Sequence, residues 1–130
     1  MSGQRKHIEV VAAIIKKGDT ILATQRGYGD LKDGWEFPGG KVNEGESDYE
    51  ALRREILEEM DWNIYVGAKL GSVEYDYPDF SISLTAYDCM AHDNDFKLLA
   101  HIDSCWLKPE EFSKLNWTEA DAELIKQLWK

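Results

Sequence analysis

From His7 to Lys16 the chain reads HIEVVAAIIK, apolar almost without a break and rich in β-branched residues. Such a run predicts a buried strand. Lys17-Gly18-Asp19 predicts a hairpin turn, and Thr20 to Arg26 returns as the second strand. Residues 27–34 mix charge with three glycines and predict a loop. Trp35-Glu36-Phe37 is a short extended piece before Pro38. Between Ser47 and Met60 the period changes from strand to helix. Tyr49, Leu52, Ile56 and Met60 then share one arc, which can dock on a sheet. Asn63 to Tyr75 and Phe80 to His92 predict two long strands. Asp76-Tyr77-Pro78-Asp79 between them is turn-forming, so the two should be antiparallel neighbours. Ser104 to Leu107 predicts a last strand, and Pro109 opens a short helical turn. Thr118 to Trp129 predicts a terminal helix. Thr118 would cap it, Asp121 would hold the capping-box position, and Leu124, Ile125, Leu128 and Trp129 would form its apolar side. The expected fold class is α/β (α+β): a mixed central sheet with one helix on each face.

The first helix carries a second pattern beside its apolar arc. Glu55, Glu58 and Glu59 lie at i, i+3 and i+4, within one narrow sector. Like charges so placed repel, and at an effective dielectric of 20 two charges 4 Å apart cost about 4 kcal/mol. Two readings follow. The face is simply solvated, or it gathers around a hard divalent cation, which takes oxygen ligands. The preceding residues favour the second. Phe37-Pro38-Gly39-Gly40 allows close approach of the backbone to a ligand. Ser47 and Glu50 form a capping box that pins this loop to the helix start.

Composition narrows the functions further. With 130 residues, the chain is expected to be one domain, 1–130, large enough for a real core. Its formal net charge of −10 argues against binding nucleic acid polymers or anionic membranes through bulk charge. A nucleotide held through a metal remains compatible with it. Cys89 and Cys105 have no zinc-like spacing and read as two buried free thiols in a reducing compartment. The stretch MSGQRKHIEV lacks the apolar run of a secretory leader, and no stretch is long enough to span a membrane. A cytoplasmic location is the expectation.

Counted from Gly40, five residues lead to Glu46 and seven more to Arg54-Glu55-Ile56-Leu57-Glu58-Glu59-Met60-Asp61-Trp62. This resembles the Nudix box, GX5EX7REUXEEXGU, in which U is a bulky apolar residue. Asp61 is the one departure and should end the helix, since Asp reaches the left-handed conformation, though less readily than Gly. IEVVAAII, ILATQR, WEFPGGKVNEGES, WLKPEEF and the turn Glu74-Tyr75-Asp76-Tyr77-Pro78-Asp79 resemble MutT and related CTP pyrophosphohydrolases. The resemblance covers nearly the whole chain. It implies a Nudix-type α/β/α sandwich whose first helix is the catalytic one.

It also implies roles. Glu55, Glu58, Glu59 and the carbonyl of Gly40 would bind Mg²⁺, with Mn²⁺ possible. Arg54 would tie the loop to the glutamates, unless it is an exposed surface Arg, and Glu46 would steady the loop or a water behind the metal ligands. Arg26 would meet phosphate, unless it is a surface Arg at a strand end, and Lys41 would also meet it. Phe37 would wall a base pocket with Ile8, Val10 and Ile82, unless these are plain core. Asp121 would read an exocyclic amine, with Asn116 as a rival, or would only favour its helix dipole. Ala100 stands where the subgroup carries a further Glu, so the base is open among His101, Asp103 and Glu44. The implied activity is Mg²⁺-dependent hydrolysis of nucleoside triphosphates to monophosphate and diphosphate. Substrates would be 8-oxo-dGTP, or CTP and modified dCTP. Alternatives are a nucleotide sugar, a dinucleoside polyphosphate, or a binding module with little turnover. The protein is expected to be a monomer or homodimer.

Overall fold

The computed structural model describes residues 6–29 and 31–129. Residues 1–5 of the stretch read as lacking a leader, Asp30 of the predicted loop, and Lys130 lie outside them. Seven strands, two α-helices and a short 3-10 helix follow in order: β1 (Lys6–Lys17), β2 (Thr20–Arg26), β3 (Trp35–Glu36), β4 (Gly39–Lys41), α1 (Asp48–Met60), β5 (Ile64–Asp76), β6 (Phe80–Ala91), β7 (His101–Leu107), the 3-10 helix (Pro109–Lys114) and α2 (Glu119–Leu128) among the described residues.

The strands form one mixed sheet ordered β3-β2-β1-β6-β5, with β4 also paired to β1 and β7 to β2. β1 and β6 run parallel over a ten-residue register from Lys6↔Phe80 to Ile15↔Cys89. The other pairings are antiparallel. β1 is apolar throughout its middle because both its faces are covered. Ala12 and Ile14 pack on one side with Ala120 and Leu124 of α2. Val11, Ala13 and Ile15 pack on the other with Leu52, Ile56 and Met60 of α1. This is the expected sandwich. Burying side chains such as Leu52 and Ile56 stabilises the docking of α1 by about 2 kcal/mol each.

Some details differ from the sequence reading. Ala51, not Tyr49, completes the buried face of α1. Tyr49 is 50% exposed and sets its ring edge against Tyr87 at the rim. The glycines after Pro38 are not only a loop, for Gly39–Lys41 pairs with β1 in the register Val10↔Lys41, Val11↔Gly40, Ala12↔Gly39. β7 begins at His101 rather than Ser104, because a bulge at Gln25/Arg26 carries its pairing on to Arg26↔His101. Thr118 occupies the N-cap of α2 but caps no backbone N–H. Its hydroxyl donates to Asp121 Oδ1 at 3.0 Å instead. Cys89 is buried and Cys105 only half-buried; both are free thiols. No helix among the described residues is long and apolar enough to cross a membrane.

Candidate active site

The start of α1 is fixed twice. Ser47 Oγ accepts from Glu50 N–H at 3.1 Å, and Ser47 N–H donates to Glu50 Oε1 at 2.9 Å. Both partners of the capping box are therefore present, which satisfies two donors that the first turn would leave open. At the other end Asp61 takes φ 48°, ψ 48° and its N–H reaches Leu57 O. The residue in place of the pattern's Gly thus closes the helix as a left-handed cap.

Arg54 sits between this helix and the preceding loop. Its Nε and Nη2 donate to the two oxygens of Glu46, its Nη2 also to Lys41 O, and its Nη1 to Glu55 and Glu58. The hydrogen bonds to Glu46 hold the Arg54 guanidinium charged well above its ordinary range and pull the Glu46 carboxyl below the ordinary one. Glu46 Oε1 further accepts from Asn43 N–H, which closes the loop on itself.

The three glutamates of the sequence pattern diverge. Glu55 Oε2 accepts from Lys41 N–H at 3.1 Å, and Glu58 is the most exposed of the three. Glu59 turns inward, and among the described residues its Oε1 is buried without a hydrogen-bond partner. Desolvation first, then Glu55 and Glu36, push the Glu59 carboxyl up to about 8. Burial, with Glu58 adding to it, also raises Glu55. Among the described residues, no three acidic, histidine or cysteine side chains stand as a ready set of metal ligands. Arg54 binds Glu55 and Glu58, while Glu59 is buried beside them and has no such partner among the described residues. The donor chemistry nevertheless suits a hard cation: carboxylate oxygens only, one of them orphaned and costly to ionise as it stands. Gly40 belongs to the same cradle, since a Cβ there would overlap the Glu55 carboxylate.

Two adjoining cavities open here. The acidic one, of about 560 Å³, is lined by Arg54, Glu55, Glu58, Glu59 and Tyr28 among others. The apolar one, of about 280 Å³, is lined by Ile8, Val10, Tyr77, Phe80, Ile82 and Asp121 among others. Arg26, Gly40 and Lys41 line both. Arg26 and Lys41, the two residues expected to meet phosphate, thus lie at the junction of the cavities.

Phe37 does not wall the apolar cavity. Its ring packs into Phe112, Trp117 and Trp129 at centroid distances of 5.9, 4.8 and 5.8 Å, and the residue is 2% exposed. Ile8, Val10 and Ile82 line the cavity as expected, and Tyr77 and Phe80 supply stacked aromatic rings there. Asp121 faces the cavity from the first turn of α2. Phe37 N–H donates to its Oδ2 at 2.8 Å. Burial, then Glu36, push its carboxyl up to about 7. Asn116 is exposed, is not part of the cavity lining, and its backbone carbonyl accepts from Trp35 N–H.

Of the residues considered for the base, Ala100 lines the acidic cavity with its small side chain. His101 is buried and pairs with Glu36, Asp103 is exposed and accepts from Ser104 N–H, and Glu44 is exposed and lines neither cavity. The sequence reading passed over Glu36, which lines the apolar cavity and binds Arg26. Period-two alternation through Trp35-Glu36-Phe37 was the available signal. It puts Glu36 on the face opposite Phe37.

Comparisons with known proteins show the family and the fold. The family model described as NUDIX domain matches residues 5–128. The CTP pyrophosphohydrolase of Escherichia coli is 35% identical over 122 residues, covering 93% of this chain and 90% of its own. An 8-oxo-dGTP diphosphatase of Proteus vulgaris is 33% identical over 85 residues, covering 64% and 76%. The crystal structure of a MutT protein from Methanosarcina mazei superposes with a TM-score of 0.87 over 98% of this chain and 96% of that one; at 24% identity it speaks for the fold alone.

Proposed function

The chain belongs to the NUDIX domain family and is a hydrolase of nucleotide diphosphate bonds, and from that premise we propose that it cleaves nucleoside triphosphates to the monophosphate and diphosphate with Mg²⁺. Its substrates on this reading are 8-oxo-dGTP, or CTP and modified dCTP, removed from the nucleotide pool before polymerases use them. The observation that carries the reading is the junction of the two cavities. An acidic cavity and an apolar one share Arg26, Gly40 and Lys41. A molecule with a phosphate chain at one end and a flat ring at the other fits such a junction.

Each residue then has a task. Glu55, Glu58, Glu59 and Gly40 would hold the cation. When bound, the cation supplies charge for phosphate oxygens and lowers the pKa of an attacking water. Arg54 keeps Glu55 and Glu58 aligned with the loop. Arg26 and Lys41 neutralise the phosphates, Arg26 with a guanidinium fork that matches their geometry. The apolar walls exclude water from the base, and Asp121 receives its polar edge. Monomer and homodimer are both compatible with this one-chain site.

Release of mononucleotide products, with diphosphate as the second product of a triphosphate, measured by chromatography over NTPs, dNTPs, oxidised nucleotides, nucleotide sugars and dinucleoside polyphosphates, with and without Mg²⁺, tests the proposal. Release from triphosphates alone supports it. Turnover only of a nucleotide sugar or a dinucleotide moves the substrate class. Binding without turnover of any of them points to a nucleotide-binding module, a second reading favoured by Ala100 in the acidic cavity.

A further inference from the structure

Arg26 is held in an unusual way for a residue at a strand end. Its Nη1 donates to Glu36 Oε1 at 3.1 Å, and its guanidinium carbon lies 5.2 Å from the centroid of the Tyr28 ring. Among the described residues its Nε is buried and has no partner. A charge-bearing donor is thus fixed on one edge by Glu36, covered on one face by Tyr28, and left open where the two cavities meet. Behind Glu36 is His101. Its side chain is 3% exposed, and its Nε2 lies 3.3 Å from Glu36 Oε2. In the tautomer that carries its ring proton on Nε2, His101 donates to this oxygen. His101 reaches this place through the bulge at Gln25/Arg26, which pairs it directly with Arg26 across β2 and β7. It is not part of the lining of either cavity.

We propose that His101 is a positioning residue: through Glu36 it fixes the Arg26 guanidinium at the junction of the two cavities, so that the open edge is aimed at the phosphate chain. The chain His101–Glu36–Arg26 uses both carboxylate oxygens of Glu36. With His101 in place, Glu36 has one orientation that satisfies both neighbours. Without it, the carboxylate can rotate, and Arg26 can follow it toward Glu59, another carboxylate whose charge it feels. What Arg26 holds rests on the proposed function; the geometry of the relay does not.

His101→Gln and His101→Asn separate the roles, because a Gln amide places an N–H near the position of Nε2 and an Asn amide near that of Nδ1. His101→Asn should raise KM for the triphosphate roughly tenfold with kcat within about twofold, and His101→Gln should restore most of it. In an Arg26→Lys background His101→Asn should change KM by less than about twofold, because the fork that His101 aims is gone. A residue serving only the core would shift both backgrounds alike and would not distinguish Gln from Asn. Equal KM effects in both backgrounds, or no effect in either, overturn the proposal. A second readout needs no turnover. With ¹⁵N-labelled arginine, the Arg26 Nε–Hε resonance, assigned by its loss in Arg26→Lys, should be sharp in the native protein and in His101→Gln, and broadened or shifted in His101→Asn. An unchanged resonance in His101→Asn overturns the relay even if the protein is active. The expected change in a protein that hydrolyses nothing keeps the relay and removes only the proposed function.

Discussion

Arg54 and Glu46 meet as a two-pronged pair, Nε to Oε2 at 2.7 Å and Nη2 to Oε1 at 3.0 Å, across the gap between α1 and the loop that precedes it. The remaining donors of the same guanidinium hold Lys41 O, Glu55 and Glu58. A single planar cation therefore sets the spacing of the loop and of two of the three helix carboxylates. A lysine carries the charge but not the fork. Arg54→Lys should therefore lower kcat/KM about a hundredfold, since small misplacements of a reacting geometry cost that much. The far-ultraviolet circular dichroism should stay that of the native protein. A variant within about threefold of native turnover would show that the spacing is set elsewhere.

Gly40 offers a steric test of the same cradle. A Cβ at this position runs into the Glu55 carboxylate, which cannot retreat without leaving Lys41 N–H and Arg54. Gly40→Ala should cost about 1–3 kcal/mol in a urea melt and remove most activity. Combining it with Glu55→Ala should recover the stability but not the turnover. Failure to recover would place the clash somewhere other than at Glu55.

How much of this could be read from residues alone varies with the distance over which each feature is determined. The capping box of Ser47 and Glu50, the arc of Leu52, Ile56 and Met60, and the hairpin at Gly18 are local, and each is found where expected. The left-handed cap at Asp61 was also legible, because few residues other than Asp take that conformation in place of Gly. Phe37 was not. Its neighbours Phe112, Trp117 and Trp129 come from more than 70 residues further on, and only the folded chain shows that they claim its ring. The same holds for the glutamates. Helical spacing put Glu55, Glu58 and Glu59 in one sector, but their surroundings differ, because Arg54 binds two of them and burial takes the third.

Glu59 is the carboxylate with most to gain from a cation. Its buried Oε1 has no partner among the described residues, and its pKa is raised to about 8. A raised acid pKa means that the folded state takes up a proton that the unfolded state releases. The stability that this contributes is full below the unfolded value and is lost as pH rises toward about 8. Glu59→Gln should therefore be at least as stable as the native protein at pH 8 without metal. It should also lose at least about a hundredfold in turnover and much of the Tm gain on adding Mg²⁺. Glu58→Gln, at an exposed position, should lose turnover with little change in Tm without metal, and should lose part of the Tm gain on adding Mg²⁺. Full activity in both variants would remove the glutamates from the reaction.

Asp121 gives a second pH dependence, at a carboxylate that is not assigned to the cation. Burial and Glu36 raise it to about 7, against the hydrogen bonds from Phe37 N–H and Thr118 Oγ, which favour its ionised form. The stability sign is the same as for Glu59. The contribution is complete below about 4, near the unfolded value, and declines as pH climbs to about 7. Other groups titrate too, so the quantity to measure is the difference in Tm between native protein and Asp121→Asn. That difference should move against the native protein from pH 5 to pH 8. Recognition should run the other way. Only the ionised carboxylate is purely an acceptor, so an amino edge on the base is received better above pH 7 than below it. KM for CTP should fall by several-fold, on the order of five, between pH 6 and pH 8 in the native protein and stay level in Asp121→Asn. A native KM that is flat over this range, with the Tm difference present, would leave Asp121 as a support for Phe37 and Thr118 and take base reading away from it.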